Sequence, residues 1–235
     1  MTARRATDLL TFRYDTPGNA FFTRWVSQRV GALLAALAFA LRLTPNMVTL
    51  IGAATALAGC VAFAVATTAT DVVIAALLWQ LAFAFDCADG QLARATQRQS
   101  PYGAWLDIAC DHVRNAGVTL AALHVLLAEA SLPATLAYAA TLMYLGGLSV
   151  YLHTASSASV RSAPPLVTHG IRHHARQLIR QATDTPMVLL WLCLLQPIPP
   201  LLAAFLSLMG ILLLVRAAGI ARQRLAPGGP APSSP

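Results

Sequence analysis

The chain of 235 residues has no lysine, a single glutamate and only 11% charged residues, where a soluble domain carries about 25%. Beside 57% apolar residues and a mean hydropathy of +0.63, that poverty of charge excludes an ordinary water-soluble globule. It equally excludes a disordered chain, which needs few apolar groups and much net charge. Cysteine is scarce, and Cys60, Cys87, Cys110 and Cys193 have no paired ligand spacing. Neither a zinc module nor a disulfide framework is expected, and the four thiols read as small apolar fillers. The sequence shows no internal repeat, and no charged start leads promptly into an apolar stretch with a small-residue cleavage site, so no signal peptide is expected.

Long apolar runs are what the chain has. A membrane-crossing helix needs roughly 20 predominantly apolar residues, and runs at 47–70, 72–85, 102–128 and 130–153 qualify or nearly do. A further uncharged run at 185–215 is too long for one span and is broken at Pro197, Pro199 and Pro200. The expected fold is all-α: a polytopic membrane protein of six transmembrane helices. The apolar run 30–41 between Arg29 and Arg42 is too short to span and reads as an N-terminal helix lying in the membrane interface, with Trp25 as anchor. The organisation is then a cytoplasmic N-terminus with the amphipathic helix at 1–45, a transmembrane catalytic domain at 46–222 and a disordered Pro/Gly/Ser-rich tail at 223–235. With six spans, 15 of the 16 arginines fall on one side and Arg114 lies inside the third span. The positive-inside rule then places both termini, and the acidic ends of spans two and three, in the cytoplasm of a multi-pass cell-membrane protein.

The remaining charge is concentrated. Asp86, Asp89, Asp107 and Asp111 fall within 26 residues of otherwise apolar sequence, and acids inside a membrane segment are expensive enough to mark function. Asp86 and Asp89 are three apart, and Asp107 and Asp111 four apart, so each pair shares a helix face. A short connection should make the two helices antiparallel neighbours, bringing four carboxylates to one end of the bundle. Like charges so placed need compensation. Hard oxygen donors without a His or Cys set suit Mg²⁺, Mn²⁺ or Ca²⁺, and Mg²⁺ held by carboxylates usually also touches substrate phosphate. The residues alone therefore point to a cation-dependent site for a phosphorylated substrate with a lipid end.

The string D-x2-D-G-x2-A-R-x8-G-x3-D-x3-D, from Asp86 to Asp111, resembles the defining motif of the CDP-alcohol phosphatidyltransferases. The opening Thr44-Pro45-Asn46 and Thr49 resembles that family's first span, and the likeness covers roughly Trp25 to Arg222. It implies that Asp86, Asp89, Asp107 and Asp111 hold a pair of Mg²⁺ or Mn²⁺ ions, with Asp111 also the catalytic base. It further implies that Asp86, Gly90, Ala93, Arg94 and Gly103 bind the nucleotide, with Arg94 at the diphosphate. The implied partners are a CDP-linked lipid or alcohol donor, a hydroxyl acceptor and the bilayer. A homodimer follows from the resemblance alone, and no nucleic acid is expected.

The motif does not encode the acceptor. Members that use phosphorylated acceptors usually carry basic residues near the end of the fourth span, whereas here Tyr151 to Ser157 holds His153 and no arginine, the next being Arg161. His153, Arg161, Arg172, Arg176 and Arg180 make the following loop basic, so it reads either as an acceptor region or as a surface for anionic headgroups. Asp184 stands four residues after Arg180, the spacing of a helical ion pair. Two further functions stay open at this point: an intramembrane prenyl-diphosphate transferase or cyclase, and a non-catalytic protein that binds a metal or a partner.

Overall fold

The long helices begin on recognisable local chemistry. Thr44 caps the helix Pro45–Ala64 by accepting from Met47 N at 3.3 Å, with Pro45 in the first turn. Ser100 does the same for Pro101–Ala128, accepting from Gly103 N at 3.0 Å. Thr68 and Asp71 form a reciprocal capping box at the start of Ala69–Ala95, which satisfies two backbone donors that the first turn otherwise leaves unpaired. Left-handed residues mark the turns that precede Pro45 and Pro101, with Arg42 at φ 58° and Gln97 at φ 55°.

The computed structural model describes residues 20–129, 132–156, 179–181 and 183–225. In chain order a π-helical turn, Thr23–Ser27, leads into α1, Gln28–Ala40. The long helices α2 (Pro45–Ala64), α3 (Ala69–Ala95), α4 (Pro101–Ala128) and α5 (Ala134–Ser156) follow, then the short α6 (Thr185–Leu195) and α7 (Pro199–Leu225). Among the described residues there is no strand.

The chain is a multi-pass membrane protein: α2, α3, Ala134–Thr154 of α5 and Pro199–Arg222 of α7 are long and apolar enough to cross a bilayer. Length and apolarity thus identify four spans where the sequence leads one to expect six. At 28 residues α4 is as long, but carries Asp107, Asp111 and Arg114 in its first half. With 11 residues, α6 rises about 16 Å, against a hydrocarbon core of about 30 Å. The helix of the second expected span does not stop at Phe85 but continues through both carboxylates to Ala95. At the C-terminus α7 runs to Leu225, into the segment expected to be tail, and residues from 226 onward lie outside the described set.

Packing corrects one expectation. The two carboxylate-bearing helices, α3 and α4, pack mainly on α2, which lies along both of them, rather than on each other. Away from the acids the core is apolar, with Trp79 and Phe63 fully buried and their ring centroids 5.0 Å apart. Gly59 makes room for them, since a Cβ there would lie 2.6 Å from Trp79 Cδ1. On the other flank α5 and α7 meet at Gly147 and Gly210, where a Cβ on Gly147 would sit 2.3 Å from Gly210 O. Such close backbone approach is how helices associate where no hydrophobic drive separates them from lipid. Helix α1 buries Gly31, Ala32, Ala35 and Ala38 against α3 and leaves Leu33, Leu37 and Leu41 exposed.

Candidate active site

The site is built at the end of the bundle where α2 and α4 begin and α3 finishes. Asp86, Asp107 and Asp111 each offer an oxygen, and these three atoms lie within 4.8 Å of one another. Asp89, the fourth expected member, stands outside that group. It is 6% exposed and accepts a 2.5 Å hydrogen bond from Thr49 Oγ1 on α2. The role of Thr49 follows from its place one turn after the Thr44-Pro45 cap, which turns its hydroxyl toward α3.

Arg114, one turn beyond Asp111, reaches back into the acids. Its Nη1 donates to Asp86 Oδ1 at 3.1 Å, and its Nη2 lies 2.6 Å from Asp111 Oδ1. The second contact lacks hydrogen-bond alignment, so it is an ion pair that leaves Asp111 Oδ1 and Arg114 Nε without a hydrogen-bond partner. Three mutually close carboxylate oxygens, with the Asp86 and Asp111 side chains each 29% exposed, form a hard-donor set suited to a divalent cation.

Two cavities meet beside this group and share Asp89, Gly90, Arg94 and Asp107; Asp86 lines the larger of them and Asp111 lines neither. The smaller, about 240 Å³, is lined by Ala93, Gly103, Asn46 and Thr49 and by the start of α4. Small side chains define it. A Cβ on Gly103 would come within 3.2 Å of Asn46 Oδ1, and one on Gly90 would come within 3.2 Å of Arg94 Nη1. Gly90 therefore lets the Arg94 guanidinium fold over the helix backbone between the two cavities. All five residues expected at a nucleotide line one cavity or the other.

The larger cavity, about 420 Å³, extends away from the acids toward Arg180, Thr183, Asp184, Tyr151 and Arg216. Arg216 of α7 hydrogen-bonds Tyr151 Oη at 2.8 Å and also Thr183 Oγ1. The sequence reading missed Arg216, whose only signal was being the first charge after a long apolar run. Asp184 does not form the ion pair expected with Arg180. It accepts instead from Thr23 Oγ1 at 2.6 Å and Thr23 N at 3.2 Å. Burial raises its carboxyl above the ordinary range, and the Thr23 hydrogen bonds pull it partly back. Of the expected acceptor region, Arg180 lines this cavity and His153 lies on an exposed face of α5. Arg161, Arg172 and Arg176 lie outside the described residues.

Residues 42–220 match the CDP-alcohol phosphatidyltransferase family. No curated protein sequence matches the chain. Among solved structures it is similar to phosphatidylinositol phosphate synthase of Mycobacterium tuberculosis in complex with manganese and citrate, with TM-score 0.57 and 20% identity over 87% of this chain and 93% of that one. The same synthase with CDP-DAG bound gives TM-score 0.56 and 20% identity over 89% and 98%. Its apo form gives 0.55 and 22% over 82% and 95%. At these identities the likeness is one of fold, while the family match spans more than half of the sequence. The chain belongs to the CDP-alcohol phosphatidyltransferase family and is a membrane phosphotransferase.

Proposed function

We propose that this enzyme moves a phosphatidyl or phosphoalcohol group from a CDP-linked donor such as CDP-diacylglycerol to a hydroxyl acceptor, releasing CMP, in phospholipid synthesis. The carrying observation is the Asp86–Asp107–Asp111 group, of which Asp107 lines both cavities and Asp86 the larger, with Asp111 directly behind them in a small recess beside Arg114. Asp86, Asp107 and Asp111, with Asp89 beside them, would hold Mg²⁺ or Mn²⁺, in two ions. When bound, such cations neutralise the donor's diphosphate and stabilise the charge on the departing phosphate.

The smaller cavity takes the cytidine nucleotide. Ala93 and Gly103 leave it open, and Arg94 lies at its edge to hold the diphosphate by two parallel hydrogen bonds. The acceptor enters the larger cavity. Asp111 takes the proton from its hydroxyl, the oxygen forms a bond to the phosphorus that carries the lipid, and the bond from that phosphorus to CMP breaks, with the electron pair leaving on CMP. Holding both reactants at one carboxylate group supplies proximity as well as charge.

The acceptor cavity bears on the choice of alcohol. The end of α5 carries no arginine, but Arg216 comes from α7 to the same level and contacts Tyr151, with Arg180 on the same wall. Two arginines lining the same cavity as Asp86 and Asp107 favour an acceptor that carries an anionic group, phosphate above all. The arginine-rich end of the bundle, with Arg94, Arg98, Arg180 and Arg216, faces the cytoplasm of the cell membrane by the positive-inside rule, and α1 rests in the interface on its exposed leucines. On this reading α4 also crosses, and the short α6 completes six spans where the bilayer thins locally beside it.

The test is purified protein with Mg²⁺, CDP-diacylglycerol and matched phosphorylated and unphosphorylated alcohols, followed by mass spectrometry for CMP and new lipid. Asp111→Asn serves as the blank. A new phosphodiester in the wild type and none in the blank is expected. CMP formed equally by Asp111→Asn would overturn the assignment of the base.

A further inference from the structure

We infer that Arg114 is a positioning residue, a resident counter-cation that holds the carboxylate site together before a divalent cation enters and weakens the binding of that cation. The inference rests on the cation-dependent reading proposed above. Its observations are geometric. Arg114 is 9% exposed, deep in a helix of a chain whose other arginines lie outside the expected spans. One guanidinium arm reaches Asp86 on α3 and the other reaches Asp111 on α4, at 3.1 and 2.6 Å. Those two helices pack mainly on α2 rather than on each other, so Arg114 is a direct polar tie between their acidic faces.

Space for the guanidinium is built in. Gly52, Ala53 and Ala56 of α2 and Ala82 of α3 line a small recess with Arg114, Asp86 and Asp111. The Phe83 ring lies 5.9 Å from the guanidinium carbon. Large side chains at those positions would fill the recess.

Charge then sets the direction. Three carboxylates with oxygens within 4.8 Å of one another repel one another, and a buried guanidinium offsets that repulsion. The same positive charge opposes a divalent cation approaching the same oxygens. Arg114 therefore trades cation affinity for a site that stays assembled and releases its cation readily. Lysine cannot reproduce the tie, because one ammonium group lacks the fork that spans two carboxylates.

The test is Mn²⁺ binding by purified full-length protein, read from the electron paramagnetic resonance of free Mn²⁺, together with thermal unfolding in EDTA. Arg114→Met and Arg114→Gln should bind Mn²⁺ at least tenfold more tightly than the wild type. Both should unfold at lower temperature in EDTA, and saturating Mn²⁺ should close that gap. Arg114→Lys should keep Mn²⁺ affinity within threefold of the wild type yet lose stability in EDTA. Equal or weaker Mn²⁺ binding by the neutral variants overturns the inference. Should neither neutral variant accumulate, Arg114→Lys decides, and unchanged stability in EDTA overturns it. Wild-type protein that binds no Mn²⁺ would overturn both this inference and the cation-dependent reading, an outcome distinct from intact wild-type binding with unaltered variants.

Discussion

Thr49 Oγ1 lies 2.5 Å from Asp89 Oδ2, so the first long helix is hydrogen-bonded directly to the carboxylate helix inside the site. Asp89 is nearly inaccessible to water, and a hydrogen bond to a buried charged group contributes about 1.5–3 kcal/mol. Thr49→Val keeps the shape and removes the donor. It should lower kcat/KM for CMP release by roughly 10- to 100-fold, and Thr49→Ser should recover most of the loss. A decrease smaller than threefold in Thr49→Val would show that Asp89 does not depend on this contact.

A second prediction separates stability from binding at the smaller cavity. Gly103 lies in the first turn of α4, where an added Cβ meets only the tips of Asn46 and Ser100, both at 3.2 Å. Alanine there gains helix propensity, up to about 1 kcal/mol, while its methyl group narrows the cavity. Gly103→Ala should melt no lower than the wild type in detergent and should raise KM for the CDP-linked donor several-fold, with KM for the acceptor unchanged. Equal donor KM in the two proteins would place the nucleotide elsewhere.

The contrast between these two sites shows what was legible in the sequence. Charges in apolar sequence are conspicuous, so the acids from Asp86 to Asp111 and the small residues Gly90, Ala93 and Gly103 could be read directly. Which helices touch could not be read. A membrane helix such as α2 is apolar on every side, so its periodicity does not say which face meets α3 and which meets α4. The same uniformity hid Arg216, because nothing in the order of the chain announces that this residue of the last helix comes to lie beside Tyr151. The six-span count relied on run length, which neither a charged α4 nor an 11-residue α6 satisfies.

The glycine contact between α5 and α7 gives a third prediction. A Cβ on Gly147 or Gly210 would lie 2.3 Å from a backbone carbonyl oxygen of the facing helix, whereas one on Gly146 meets nothing within 4 Å. Backbone cannot swing aside as a side chain can, so the helices must separate. Overpacking of this kind costs about 1–3 kcal/mol. Gly147→Ala and Gly210→Ala should lower the melting temperature in detergent by several degrees, and Gly146→Ala should not lower it. Equal melting of the three variants would mean that α5 and α7 do not approach this closely.

The last prediction concerns the acceptor. Arg216 is held by Tyr151 and Thr183, so its guanidinium is oriented toward the larger cavity by partners from two other segments. An oriented guanidinium recognises phosphate more strongly than a mobile one because less freedom is lost on binding. If the acceptor carries a phosphate, Arg216→Met should raise its KM by roughly tenfold or more, the size of one lost charge-assisted hydrogen bond. KM for the CDP-linked donor should stay within twofold, since Arg216 does not line the smaller cavity. Tyr151→Phe should show a smaller rise in the same constant, because it loosens Arg216 without removing it. Steady-state kinetics with matched phosphorylated and unphosphorylated alcohols would measure both effects. An equal loss with both kinds of alcohol would assign Arg216 to the architecture of the bundle rather than to the acceptor.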